Sequence, residues 1–165
     1  MVIERIPLMQ SLWISLSVWL HSIATTVFIG HFVHLAVVYL PAFQGQKDTA
    51  SLELLSRISR LSRTWLYAAL AIFIITGTYL MLIDQNYLGL MNFGNLWGVV
   101  MLLKHVLILA MLAIGFWYNA VQRVGPSLVS SNRASQAFDQ FRLYTNWMAV
   151  FGLLVLLLTA ISQGE

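Results

Sequence analysis

The chain has 165 residues, of which 59% are hydrophobic and 9% charged, with a net charge of +3. That balance excludes an ordinary soluble domain. With no cysteine there can be no disulfide, thiolate metal ligand, iron–sulfur cluster or c-type haem attachment.

Four apolar runs, at residues 11–40, 65–83, 96–120 and 145–161, are each near or above the length that crosses a hydrocarbon core. The expected fold is all-α, an integral membrane four-helix bundle forming a single transmembrane domain over residues 1–165. Its helices are expected at about 9–40, 64–84, 96–122 and 142–162. The first is expected to stop before Pro41, whose ring and missing N–H do not suit a helix interior. The start of the chain does not read as a cleaved signal, because Glu4 offsets Arg5 and the apolar run is too long.

Between the first two runs, Leu52, Leu55, Ile58 and Leu61 recur at helical spacing among Arg57, Arg60 and Arg63. This segment is expected to be an amphipathic helix at the membrane surface. The second connection, residues 84–95, has no lysine or arginine. The third carries Arg123, Arg133 and Arg142 around a loop marked by Gly125-Pro126. Seven of the nine basic residues thus fall in or beside the first and third connections. The basic residues read as topology determinants rather than a nucleic-acid surface. By the positive-inside rule the basic loops face the cytoplasm and the termini face outward. The setting expected is a bacterial-type inner or plasma membrane, crossed several times. The bilayer is the first partner, and other membrane subunits of a redox complex are a further one.

The third run, LWGVVMLLKHVLILAMLAIGFWYN, carries Lys104 and His105 side by side at membrane depth, where ionisable groups signal a site. Trp97 precedes His105 by eight residues, and Trp13 precedes His21 by eight. If both tryptophans sit at the interface, the two histidines lie at one depth, roughly 12 Å along parallel helices. A b-type haem needs two imidazoles on opposite faces, and the interior of a four-helix bundle is where facing side chains build such sites. His21 and His105 are therefore candidate haem ligands, against the plainer reading of packed histidines bonded to Ser22, Thr25 or Thr26.

Lys104 either snorkels outward, pairs with a haem propionate, or acts directly; no acidic residue is expected at its depth. His31 and His34, three apart near the basic end, are solvated helix-end residues or further metal or cofactor contacts. Met9, Met81, Met91 and Met101 gather towards the outer half. With imidazole they would suit Cu(I), so copper held by His21, His105 and Met101 is the alternative to haem. Methionine is equally an ordinary gap-filler. Gly77 and Gly152 read as close helix contacts.

The stretches WLHSIATTVFIGHFVHLAVVYLPAF, SRISRLSRTWLYAALAIFIITGTYLML, LWGVVMLLKHVLILAMLAIGFWYNA and FGLLVLLLTAIS resemble the four helices of the CopD (copper resistance D) family. Lys104 falls on the family lysine, Asn119 lies near the end of the third helix, and Thr76, Gly77 and Tyr79 match the exit of the second. The resemblance covers residues 19–161 and implies copper uptake or resistance. It also implies kinship with b-type membrane cytochromes and HemJ-type protoporphyrinogen oxidases, which carry a histidine in helix 1 and a lysine in helix 3. His21 and Lys104 match those positions, while His105, His31 and His34 depart from the pattern. CopD chains typically have more helices. The leading expectation is a haem b electron-transfer protein. Copper handling, a haem-dependent porphyrinogen oxidase and a purely structural accessory subunit are the other readings.

Overall fold

The computed structural model describes residues 8–43, 49–89, 95–124 and 134–163. Four helices carry the fold: α1 over Leu8–His34, α2 over Thr49–Ile83, α3 over Leu96–Val124 and α4 over Ala134–Gln163. Segments long and apolar enough to cross a membrane cover Met9–Ala42, which runs on past α1, Arg57–Ile83 in α2, Leu96–Trp117 in α3 and Phe138–Gln163 in α4. The chain is thus an all-α multi-pass membrane bundle. Met91, Lys47 and Arg133 lie outside the described residues, as do the side chains of Asn119 and Arg123.

Two boundaries differ from expectation. The basic stretch before the second span is continuous with it, so α2 begins at Thr49 rather than following a separate surface helix. Ile58 anchors this extension by packing on a cluster of Leu35, Leu40, Phe138 and Phe141. Likewise α4 begins at Ala134, before its apolar run, and the fully enclosed Phe138 ties that first part to the same cluster.

The helix also does not stop before Pro41. A π-helical turn over Leu35–Tyr39 widens the spiral and runs into a last turn, Leu40–Ala42, that contains the proline. Pro41 cannot donate a backbone hydrogen bond, and its ring would strike the carbonyl four residues back in a regular α-helix. The wider turn relieves that conflict. It also alters the register. Five residues turn an α-helix through about 500° but a π-helix through roughly 410°, so residues five apart nearly share a face. Leu35 and Leu40 are both buried in one cluster as a result.

In the bundle α1 is central. It packs extensively on α2 and on α4, α4 also packs on α3, while α2 and α3 scarcely touch. The order across the bundle is α2–α1–α4–α3. Small residues permit the closest approaches. At Gly152 on α4, an added Cβ would lie 2.7 Å from Ile29 Cγ2 on α1. At Gly77 on α2, it would lie 3.0 Å from His21 Cε1. Without a hydrophobic difference between lipid and protein, close packing of this kind is a principal source of helix association in membranes.

Candidate functional site

His21 sits on α1 facing α2. Its ring stacks on Phe73, with centroids 4.6 Å apart, and Nδ1 lies 2.9 Å from Thr76 Oγ1. The direction of that bond follows from proton counting. A hydroxyl has one proton, and Thr76 donates it to the Ile72 carbonyl at 2.6 Å. With that proton on Ile72, Thr76 accepts from His21 Nδ1–H, and the Phe73 backbone lies within hydrogen-bonding reach of the same imidazole. Fixing one ring nitrogen so that the other can act is how proteins orient a liganding imidazole. The nearby hydroxyls considered as partners instead bond within their own helix: Ser22 to Val18, Thr25 to His21 and Thr26 to Ser22. The partner that sequence reasoning missed was Thr76, visible only as one of two threonines flanking Gly77.

Lys104 is half-buried on α3, and its Nζ donates to Ser162 Oγ on α4 at 3.4 Å. It lies within electrostatic reach of His21 and of Asp84, which follows the end of α2. Asp84 is the acidic group whose charge reaches Lys104, and it stands past the end of α2 rather than within a span.

His105 is placed differently. It is exposed on the flank of α3, and its Nδ1–H donates to the Met101 carbonyl on its own helix at 2.7 Å. Neighbouring residues on a helix point about 100° apart, so with Lys104 turned to the interior His105 is carried outward. The structure brings His21 together with Thr76, Phe73 and Lys104, and not with His105. The tryptophan markers also divide: Trp13 is 61% exposed, but Trp97 is 5% exposed and packs edge-on against Tyr87. Trp97 is therefore covered by the connection after α2, while Trp13 faces outward.

His31 meets Phe32 edge to face, and His34 meets Tyr39 in the same manner. His31 lies on the wall of a cleft, whereas His34 is exposed. Met81 and Met111 are buried, Met101 is partly covered, and Met9 is exposed. Among the described residues no three His, Asp or Glu side chains are grouped to share a metal ion.

Fold and side chains together define an α-helical integral membrane protein with a polar site inside the bundle at His21 and Lys104. Comparison of the chain with protein-family models, with curated proteins and with solved structures returned no match.

Proposed function

We propose that this chain is a membrane redox protein of CopD-like type, with His21 as the imidazole ligand of a b-type haem and Lys104 as the cation for an acidic group of the same cofactor. The observation that carries the reading is the contact of His21 Nδ1 with Thr76, whose hydroxyl also reaches the Ile72 carbonyl; in the tautomer with Nδ1 protonated, Nε2 carries the lone pair. Lys104 adds a positive charge inside an apolar span, a placement that calls for an anionic partner. Bound haem would supply a one-electron centre. The chain's part is to orient one imidazole, offer one cation and exclude water with four apolar helices.

A haem held between His21 and His105 of one chain does not fit, because His105 is exposed on the outer flank of α3. Copper at His21 is opposed by the neighbouring Lys104 charge, which repels a bare cation. The exposed imidazole of His105 supports the subunit form of the proposal, in which α3 meets another membrane protein of a redox assembly.

The test is the visible spectrum of the purified protein, oxidised and reduced with dithionite. One imidazole on the iron is expected to give a high-spin, ligand-accessible b-type haem. His21→Ala should abolish it, Lys104→Met should lower occupancy or potential, and His105→Ala should leave it unchanged. A colourless protein that holds no haem after reconstitution overturns the proposal. So does a low-spin spectrum that His105→Ala converts to high spin, since that restores the two-histidine arrangement.

A further inference from the structure

A cleft with about 80 Å³ of free internal space, partly open to the surroundings, lies at the end of the bundle that carries Arg63, away from His21 and Lys104. All four helices line it. Its floor is made by the buried Phe32 and Leu35 of α1, Met111 of α3 and Met148 of α4. At its rim stand Tyr67 of α2 and Phe116 of α3, both exposed. These two helices scarcely pack on one another, so helix–helix contact does not close the cleft off between them.

The polar groups on its wall share one chemical character. Ser59, Arg63 and Tyr67 come from α2, His31 from α1 and Tyr144 from α4. Ser59, Arg63 and Tyr67 are four residues apart in turn, hence on one face of α2. Every one of these side chains can donate a hydrogen bond, and no carboxylate stands among the described lining residues. The matching ligand is rich in acceptor oxygens. Tyr67 of α2 and Tyr144 of α4 both line the cleft, within electrostatic reach of each other.

The apolar part of the wall favours a ring over a pair of acyl chains. Phe28 meets Phe32 edge-on with centroids 5.6 Å apart, and Phe32 meets Tyr144 edge-on at 5.9 Å. With Phe116, Phe141 and two methionines, these faces offer edge and thioether contacts that an aromatic or quinonoid ring uses best. Among the described residues, Arg63 is the cation on the wall.

We propose that this cleft binds a lipid-soluble, ring-bearing molecule with carbonyl oxygens, of the quinone class, admitted from the bilayer between α2 and α3. Arg63, Tyr67, Tyr144 and His31 supply donors for the carbonyl oxygens, and the Phe and Met walls hold the ring. Gly115 leaves the space for it: a Cβ there would meet only the Tyr144 hydroxyl, at 4.0 Å. Neither His21 nor Lys104 lines the cleft, so the inference stands apart from the haem proposal.

The probe is a photoactivatable azido-benzoquinone with a short alkyl tail, applied to the full chain in phosphatidylcholine nanodiscs. Cross-links are mapped by mass spectrometry. Labelling is expected on the walls around Tyr67, Met111 and Phe116, and excess decylubiquinone should compete it away. Arg63→Gln and Tyr144→Phe should each raise the half-saturating probe concentration about tenfold, the loss expected for a strong hydrogen bond. Gly115→Phe should block labelling while circular dichroism and the melting temperature show the bundle intact. Tyr144→Phe preserves shape, and so keeps the test decisive should Gly115→Phe fail to fold. Labels scattered over the outward faces of α2 and α3, or not displaced by decylubiquinone, overturn the inference. Loss of all labelling in nanodiscs containing phosphatidylglycerol, restored by Arg63→Gln, also overturns it by assigning the cleft to an anionic phospholipid.

Discussion

The seam between α1 and α4 gives the most direct test of the packing, through Gly152→Ala. Two effects oppose each other. Alanine is the better helix former, which by itself favours the variant by about 1 kcal/mol. Against this, the new methyl would sit 2.7 Å from Ile29 Cγ2, 3.4 Å from Cγ1 and 3.5 Å from Cβ. Ile29 is 4% exposed and branched at Cβ, so it has little freedom to rotate away. Overpacking of this kind costs typically about 1–3 kcal/mol, and a stiff, enclosed neighbour puts the value in the upper part. The net expectation is a destabilisation of roughly 1–2 kcal/mol. Gly30→Ala is the internal control, because nothing lies within 4 Å of a Cβ at Gly30. That variant should gain up to about 1 kcal/mol. Both are read by reversible unfolding in mixed micelles, followed by circular dichroism. A double-mutant cycle with Ile29→Ala should show a favourable coupling of at least about 0.5 kcal/mol, since the truncated partner removes the collision. Gly152→Ala matching or exceeding the wild type, or no coupling in the cycle, would refute a tight seam here.

Four other outcomes follow from the same coordinates. Thr145 Oγ1 is fully enclosed with no hydrogen-bond partner among the described residues, so Thr145→Val should be neutral or stabilise by up to about 1 kcal/mol in the same unfolding assay; a loss of stability would reveal a hidden partner. Gly77→Ala would press a methyl to 3.0 Å from His21 Cε1, and ring-nitrogen chemical shifts should report a weakened Nδ1–H bond to Thr76. Lys104→Met removes a charge from a membrane span and should raise the melting temperature of the haem-free protein; a fall would mean that Ser162 and Asp84 stabilise that charge more than its desolvation costs. Cysteines introduced at Asn92 and Ser130, both beyond the described residues, test the orientation: the first should react with an impermeant thiol reagent from outside intact cells and the second should not.

The four spans were legible because runs of apolar residues near twenty long have one economical home, and their number and sequence positions are those observed. The true starts of α2 and α4 were not. Both lie in polar sequence, and only tertiary contacts through Ile58 and Phe138 reveal why the helices begin so early. The same limit applies to the site. Lys104 and His105 are adjacent, so no single helix face can hold both, and the sequence carries no mark of which one turns inward. That choice belongs to the rotation of α3, set by burial of Trp97, Val100 and Met111 along one stripe. Read for that stripe, at spacings of three and eleven residues, the sequence does hold a faint signal favouring Lys104 over His105. The cleft left a weaker trace still. Ser59, Arg63 and Tyr67 share a face of α2, but their partners His31 and Tyr144 lie on other helices and only folding assembles them.

The order α2–α1–α4–α3 has a consequence for biogenesis. Helices α1 and α2 form one antiparallel hairpin and α3 and α4 another, each between neighbours in the chain. The hairpins join chiefly through α1 and α4, the earliest and latest of the four in chain order. The first hairpin can therefore assemble as soon as α2 has been inserted, while α1 keeps its α4-facing flank uncovered until α4 follows. Cutting the chain between α2 and α3 should leave two co-inserted halves able to find each other across Ile29 and Gly152.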